Sequence, residues 1–494
     1  MAEQGKTLTD LGLTAAAGRN PVISDVCVDS RAVSEGALFV ALPGTQVHGA
    51  RFIPMALDQG AVAVLTDAEG AAMARDALDA AEAAVVIAED PRQTLAYTAA
   101  LWFGAQPGTM IAVTGTNGKT SVSTFARQIW MELGEEAVNL GTTGVEGAWT
   151  APLNHTTPEP VTLHRTLAKA AAEGITHAAM EASSHGLAQR RLDGVQLKAA
   201  GFTNFTQDHL DYHETFEEYF NAKAGLFTRV LPEEGTVVVN VDDPRGQDVL
   251  GLAQERGQKV IRVGRTPGCD LQLQGQRFDA TAQELRFSFR GKVHHCRLPL
   301  IGGFQAENVL LAAGLVIACG EDPDAVFETL PHLGTVRGRM QLAATRENGA
   351  AVFVDYAHTP DAVETALKAL RPHVMGRLVV IVGAGGDRDR TKRPLMGQAA
   401  AENADLVIVS DDNPRSEDPA VIRQEVLLGC PNAIEVGDRA EAILRGIDAL
   451  GPGDALLIAG KGHETGQTVG DVVYPFDDVE QASLAVSALD GGLA

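Results

Sequence analysis

Apolar residues along this chain gather in short, unbroken runs rather than alternating ones. The clearest are "AVAVLT" (61–66), "AAVVIA" (83–88), "MIAVTG" (110–115), "GTVVVNVD" (235–242), "RLVVIVGAGG" (377–386), "DLVIVSDD" (405–412) and "DALLIAGKG" (454–462). Each is followed by a stretch of helical length. Strands that are apolar throughout belong to parallel sheets covered on both faces, so the pattern predicts an α/β fold. "EDPRQTLAYTAALWFGAQP" predicts a helix leading into a new strand and sets one boundary near residue 92. Turn-rich "LPHLGTVRGRMQ", ahead of the strand "AAVFVDYA", sets another near 334. Three α/β units result, 1–92, 93–334 and 335–494, and ligands of such sheets bind at the C-terminal ends of strands.

One helix breaks its own pattern. In "TFEEYFNAKAGLF" (215–227), Phe216, Phe220, Lys223 and Phe227 share one face by their spacing, which sets a lysine inside a phenylalanine stripe. Either Lys223 snorkels, with its methylenes on the apolar face and its ammonium in water, or the amine is paired or chemically altered within a site. The helix alone leaves both readings open.

Composition narrows the function. A net charge of −24 with no offsetting basic stripe argues against nucleic acid as a partner. Any phosphate must then be gripped by a local loop. Five scattered cysteines, odd in number and without CxxC spacing, fit reduced thiols in a cytoplasm. No basic-then-apolar leader opens the chain and no apolar run has membrane-spanning length, so a cytoplasmic protein without membrane insertion is expected.

The local loop is "MIAVTGTNGKTSVSTFARQIW", a strand, a glycine-bearing turn and a helix. Gly115 and Gly118 let backbone amides approach a phosphate chain, with Thr116 and Asn117 between them and Ser121 in the helix's first turn. Lys119 would meet the β and γ phosphates, and the Thr120 hydroxyl would ligate Mg²⁺. Val113 stands where a full Walker pattern has its first glycine, so this is the shorter GTxGK[ST] form. The absence of an NKxD sequence speaks against a regulatory GTPase.

Two further strand ends carry candidate metal ligands. "THAAMEASSHGL" offers Glu181 beside Ser183, Ser184 and His185; "AAGFTNFTQDHLDYH" offers Asn204, Asp208, His209, Asp211 and His213. Carboxylate and imidazole at neighbouring strand ends suit a divalent cation between phosphates, and Glu181 and His209 are the favoured pair. Lys223 follows one helix later. Protonated, it would repel Mg²⁺; neutral and modified by CO₂, it would become an anionic carbamate, and desolvation helps by lowering its pKa.

These motifs resemble the Mur ligase family of peptidoglycan synthesis over essentially the whole chain. "TGTNGKTS", "MEASSHGL", "TNFTQDHLDYH" and "YFNAKAGLF" match its ATPase domain in order and spacing. The marks "DSR" (29–31), "GALFVALPG" (36–44), "HTTP" (155–158), "DYAHTPDA" (355–362), "GGDRDRTKRPLM" (385–396), "DNPRSEDP" (412–419) and "GKGHE" (460–464) are similar to the branch that adds a diamino acid. The resemblance implies a three-domain α/β architecture, with a central P-loop ATPase-like parallel sheet and a C-terminal Rossmann-like domain. It implies an ADP-forming ligase, expected as a monomer, that uses ATP and Mg²⁺ to join meso-2,6-diaminopimelate to UDP-N-acetylmuramoyl-L-alanyl-D-glutamate (UDP-MurNAc-L-Ala-D-Glu). It also implies that Lys223 carries the carbamate and bridges magnesium.

The resemblance further places Val28, Ser30, Thr45, Gln46 and Val47 at the uridine side. Thr156, Thr157, Ser183, Gln189 and Arg191 would hold the muramoyl-dipeptide, and Asn308, Arg339 and Asp355 the adenine and ribose. In "DNPR", Asp412, Asn413, Pro414 and Arg415 follow a strand, either as the start of a helix capped by Asn413 or as a rigid ligand loop, and both could hold. Arg415 could clasp the distal carboxylate of meso-diaminopimelate through two hydrogen bonds, with Asp412 and Glu464 taking the adjacent ammonium. Arg388 is left for the carboxylate beside the reacting amine, and Gly460 completes the set. L-Lysine or L-ornithine in the same chemistry, or a non-catalytic nucleotide-dependent regulator, are the alternatives. Departures from the family pattern are His48-Gly49, Gln305-Ala306-Glu307 and Arg337.

Overall fold

The computed structural model describes residues 5–44, 47–206, 213 and 215–491. All seven apolar runs form strands, in a chain that divides into two compact units. The first comprises residues 1–263 and 311–323, the second 264–310 and 324–494.

The first unit begins with a four-stranded parallel sheet, Val26–Cys27, Leu38–Val40, Ala63–Thr66 and Ala84–Ile87. Its successive side chains alternate between two cores. Leu38, Val40, Ala63 and Leu65 enter one, and Phe39 and Val64 the other. That is why the runs are apolar without alternation: both faces are covered, and each fully buried Val or Leu contributes about 1.5–3 kcal/mol. Asp90 caps the helix Pro91–Phe103 by accepting from the Gln93 amide, with Pro91 in its first turn.

A second parallel sheet follows, ordered Lys259–Gly264, Thr236–Asn240, Ala199–Phe202, Thr109–Thr114, His177–Glu181 and Ala137–Gly141, with Gly144–Gly147 antiparallel at its edge. Thr109–Thr114 lies between Ala199–Phe202 and His177–Glu181, so the phosphate-loop turn, Glu181 and the 203–206 turn leave the sheet at one end.

The second unit contains three antiparallel strands, Leu271–Phe278, Gln283–Phe289 and Lys292–Leu298. Its main sheet runs Gln341–Thr345, Ala351–Asp355, Ala455–Ala459, Leu378–Val382, Leu406–Val409 and Ile434–Glu435, parallel except for the first strand. Phe353, Val380 and Leu457 pack on one face, Val352, Ile381 and Ile458 on the other. A hairpin, Gly466–Val469 with Val472–Pro475, follows the strand Ala455–Ala459. Among the described residues, no helix is long and apolar enough to cross a membrane.

Candidate active site

The phosphate loop joins Thr109–Thr114 to the helix Lys119–Glu132. Gly115 has φ +144°, and a Cβ there would lie 1.9 Å from Thr203 Oγ1, so only glycine fits. Gly118 caps the helix at φ +89°. The turn is clamped by residues leaving the neighbouring strand. The Thr116 amide donates to Asn204 O (2.9 Å), the Asn117 amide to Asn204 Oδ1 (2.9 Å), and Thr203 Oγ1 to Asn117 O (2.6 Å). Lys119 Nζ lies across the loop, 3.0 Å from Gly115 O and 2.8 Å from Thr116 O. Thr120 and Ser121 occupy the buried first turn.

Glu181 ends its strand and is buried. Thr120 Oγ1 donates to its Oε2 (3.0 Å), and the Thr142 amide to its Oε1 (2.8 Å). A Cβ on Gly141 would lie 2.0 Å from Oε1, so that glycine makes room for the carboxylate. Gly141 and Thr142 were missed in the sequence, although "GTTG" after the strand Ala137–Gly141 was there to read. Thr157 Oγ1 donates to Glu181 O (2.9 Å) and accepts from the Ser183 amide (3.0 Å). Arg191 donates to Thr157 O (2.6 Å) and to Gln189 Oε1 (2.7 Å), and Thr156 Oγ1 lies 3.1 Å from Thr142 Oγ1. The dipeptide candidates Thr156, Thr157, Ser183, Gln189 and Arg191 therefore form one hydrogen-bonded patch around Glu181. A small cavity of about 100 Å³ joins Gln189 and Arg191 to Val28, Leu42 and Arg92.

Lys223 does not snorkel. It is 1% exposed, donates to Gly115 O at 2.7 Å, and lies 4.5 Å from the Tyr219 ring centroid. Of the stripe around it, Phe220 and Phe227 are buried, whereas Phe216 is exposed and meets Phe205, which packs edge-on against both Phe216 and Phe220. Tyr219, unassigned in the sequence, lies with its hydroxyl 3.3 Å from Thr116 Oγ1. The His213 ring lies tilted against those of His185 and Tyr219, with centroids 5.7 and 5.3 Å away. Asp208, His209 and Asp211, like Thr45 and Gln46, lie outside the described residues.

Near Val28, Asp29 accepts from the Arg31 amide and opens the short helix Ser30–Ala32, where Ser30 is buried. The departure at His48 is locally explained. Its Nδ1 accepts from the Ala50 amide (3.0 Å) and its Nε2 faces Asp67 (3.1 Å), so it caps the turn that Gly49 starts. Burial opposes it, yet the Gly70 amide and the His48 ring hold the Asp67 carboxyl below its usual range. Val47 is exposed.

In the second unit, "DNPR" is a loop and does not start a helix. The next helix is Pro419–Leu427, capped by Asp418. Asn413 is engaged elsewhere: its Oδ1 accepts from the Thr468 amide (2.9 Å) and Lys461 Nζ (3.2 Å), and its Nδ2 donates to Glu464 Oε2 (2.8 Å). Arg415 takes φ +51° and donates to Gly386 O (2.8 Å), while a Cβ on Gly386 would sit 1.9 Å from Pro414 O. Gly460 has φ +118°, and a Cβ there would meet Asp412 Oδ2 at 2.4 Å. Buried Arg439 fixes the strand ends behind them, with a bidentate pair to Asp478 (2.8 and 2.7 Å) and a bond to Ala459 O (3.0 Å).

Asp355 accepts from the Met340 and Ala357 amides, at 2.7 and 2.9 Å. Desolvation pushes its carboxyl above the usual range against the pull of Arg339 and those amides. The Arg339 guanidinium lies over Tyr356, 4.8 Å from the ring centroid. Burial pushes the Tyr356 hydroxyl up; Glu464 and Asp412 add to this while Arg339 and Arg388 oppose it, so these charges share one neighbourhood. Arg388 is exposed. Asn308 Nδ2 donates to Gln305 Oε1 (3.1 Å), and Glu307 pairs with Arg265, which gives the departures at 305 and 307 partners of their own. Arg337, the third, pairs with Asp477.

Comparison with known proteins identifies the assembly. The Mur ligase family catalytic domain matches residues 22–102, the Mur ligase middle domain 113–316, and the Mur ligase glutamate ligase domain 338–462. A UDP-N-acetylmuramoyl-L-alanyl-D-glutamate–2,6-diaminopimelate ligase of Bradyrhizobium diazoefficiens is 48% identical, over 94% of this chain and 95% of its own. Its counterpart in Caulobacter vibrioides is 47% identical over 98% and 99%. A solved structure of a ligase of that name superposes with TM-score 0.73 at 33% identity, covering 98% of this chain and 99% of the other. A MurF ligase from Thermotoga maritima in complex with ADP shares the fold at TM-score 0.61 and 18% identity, covering 95% and 98%. Spanned in order by three of its domains and matched nearly end to end by its members, the chain belongs to the Mur ligase family.

Proposed function

We propose that the chain is an ATP-dependent, ADP-forming ligase that adds meso-2,6-diaminopimelate to UDP-MurNAc-L-Ala-D-Glu in peptidoglycan precursor synthesis. The observation that carries this reading is the match, at 48 and 47% identity over nearly the whole chain, to ligases named for that reaction. Physical chemistry supplies the steps. A carboxylate and an ammonium do not condense in water, so a D-glutamate carboxylate oxygen attacks the γ-phosphorus, the bond to the β-γ bridging oxygen breaks, and ADP leaves. The neutral amine of the diamino acid then attacks the acyl carbon, phosphate leaves, and the amine surrenders its proton.

Lys119 and the N-terminus of the helix Lys119–Glu132, which follows the turn 115–118, hold the phosphate charge that develops during transfer. Arg191, with Thr156, Thr157, Ser183 and Gln189 around it, orients the dipeptide; Val28, Ser30, Thr45, Gln46 and Val47 take the uridine. Asn308, Arg339 and Asp355 take adenine and ribose. Arg415, Asp412, Asn413, Pro414, Gly460 and Glu464 read the distal head of the diamino acid, and Arg388 its reacting end. Exclusion of water protects the acyl phosphate.

The buried Thr120 hydroxyl and Glu181 carboxylate, joined at 3.0 Å in a cradle that a Cβ on Gly141 would fill, are hard oxygen donors of the kind Mg²⁺ prefers. His209 and a carbamate on Lys223 would complete the set, and the ion would supply charge neutralisation at the γ-phosphate. Lys223 suits carbamylation because its amine is buried beside Gly115 of the phosphate loop. The three parts 1–92, 93–334 and 335–494 would serve the UDP-sugar, ATP chemistry and amino acid in turn. The test is ADP release with UDP-MurNAc-L-Ala-D-Glu against a panel of diamino acids. Strong preference for meso-diaminopimelate is expected; equal use of lysine or ornithine, or no ADP release with any of them, would refute the reading.

A further inference from the structure

Arg415 holds a left-handed backbone, φ +51°, that costs a non-glycine residue free energy, so something outside the loop must impose it. The hairpin Gly466–Val469/Val472–Pro475 is in position to do so. Its strand pairs with Arg415 through a parallel bridge at Val469. The Arg415 amide donates to Thr468 O (3.0 Å), and the Gly470 amide donates to Arg415 O (2.7 Å). The Thr468 amide donates to Asn413 Oδ1 (2.9 Å), and Gln467 Nε2 to Asp412 O (2.7 Å).

Lys461 closes the arrangement from within. It is 0% exposed, and Nζ reaches Asn413 Oδ1 (3.2 Å), Glu464 Oε2 (3.2 Å) and Gly466 O (2.5 Å). One buried ammonium thus ties the "DNPR" loop, the Glu464 carboxylate and the hairpin together. Glu464 Oε2 takes donors from both Asn413 and Lys461, yet its side chain stays 34% exposed, so the carboxylate is backed on one side and open on the other.

We propose that this hairpin, with Lys461 as a positioning residue, is the specificity element of the amino-acid subsite. It fixes the spacing between the Arg415 guanidinium and the Glu464 carboxylate. A distal head carrying both carboxylate and ammonium needs both charges at a set separation. A bare ammonium needs Glu464 alone and tolerates a loose Arg415. Loosening the hairpin therefore costs meso-diaminopimelate more than lysine. The inference rests on the proposed function for the identity of the amino acid.

The experiment measures KM and kcat for meso-diaminopimelate, lysine, ATP and the UDP-dipeptide in the full chain and in two variants. Lys461→Met should raise the KM for meso-diaminopimelate by at least about tenfold, the scale of one lost charge-assisted contact. It should narrow the preference over lysine and leave the KM for ATP and the UDP-dipeptide within about twofold. Gln467→Ala, at a half-buried position where one side-chain bond to Asp412 O is lost, should raise the same KM about threefold, the scale of one neutral hydrogen bond. Unchanged selectivity in both variants, or a parallel rise in the KM of all substrates, would overturn the proposal. Should the native chain release no ADP with meso-diaminopimelate, the proposed function fails instead, and that is seen before any variant is made.

Discussion

The phosphate loop and the "DNPR" loop are both turns at the C-terminal end of a parallel strand, but they are stiffened in different ways. The first is held through its own backbone. Gly115 has no room for a Cβ, and the amides of Thr116 and Asn117 are clamped by the adjacent turn at Asn204. The second is held by groups that arrive from about fifty residues away: the hairpin strand pairs with the Arg415 backbone, and the side chains of Lys461, Glu464 and Gln467 hold Asn413 and Asp412. A backbone-clamped loop suits a ligand such as triphosphate, which meets a rigid turn and the helix N-terminus behind it. A remotely clamped loop suits a ligand read by two charges at fixed spacing. The first should fail when bulk is added or its reactive groups are removed, the second when remote supports are cut.

The largest expected effect tests the chemistry at the first loop. Lys223→Ala should abolish most activity, and added bicarbonate or a short-chain carboxylate should partly restore it by replacing the lost anion. Lys223→Arg should not rescue, because its permanent cation would face Mg²⁺. Full activity in Lys223→Arg would end the carbamate proposal. Next come Lys119→Ala and Glu181→Ala, for which kcat should fall by about a hundredfold or more, as for other groups acting on charge developed in the transition state. Removing Glu181 also strands the Thr142 amide and Thr120 hydroxyl, so melting should drop by a few degrees. Gly141→Ala should mimic the Glu181 variant by pushing the carboxylate aside. A collapse in melting temperature with near-normal kcat would make these residues structural.

At the second loop the effect is smaller and confined to one substrate. Arg415→Ala should raise the KM for meso-diaminopimelate roughly ten- to a hundredfold, the scale of a lost charge-assisted pair. ATP binding should barely change, and a parallel loss in ATP affinity would show that the loop does more than read the amino acid.

Legibility in the sequence follows the same division. All seven apolar runs became strands, because burial on both faces imprints itself on every residue of a strand. The three antiparallel strands at 271–298 went unread, although "LQLQGQRF" and "QELRFSF" alternate as one-sided strands do. The phosphate loop was legible because its constraint is local: two glycines, a lysine and a hydroxyl within six residues. Lys223 was legible as an anomaly, but only the fold shows that its amine is buried against Gly115 and Tyr219. The tie from Lys461 and the hairpin to the "DNPR" loop was not legible, since it joins residues about fifty positions apart in the chain. The same blindness left Asn413 open as a helix cap, where the sequence offered a cap and the fold offered Lys461, Glu464 and Thr468.

The smallest expected effect separates the two units by the sign of their response to acid. His164, 2% exposed on the helix Pro160–Ala172 of the first unit, is pushed down to about 4 by burial, against the pull of the Asp193 backbone. Among the described residues its Nε2 has no hydrogen-bond partner. A depressed histidine favours proton uptake by the unfolded chain, so its stabilising effect is full above the ordinary value of 6.5 and is lost as pH falls towards 4. Between about pH 7.5 and about pH 5 that amounts to about 2 kcal/mol. Asp355 in the second unit is shifted upward, so its folded form holds the proton longer and its contribution to stability declines as pH rises. Amide exchange, corrected for intrinsic rates, should therefore show protection around 160–172 falling between about pH 7.5 and about pH 5. Protection in the strand Ala351–Asp355 should hold or rise on acidification. His164→Leu removes the titrating group while keeping the space filled, and should flatten the response of the first unit alone. If the variant keeps the native acid slope, the burial of His164 is not its cause.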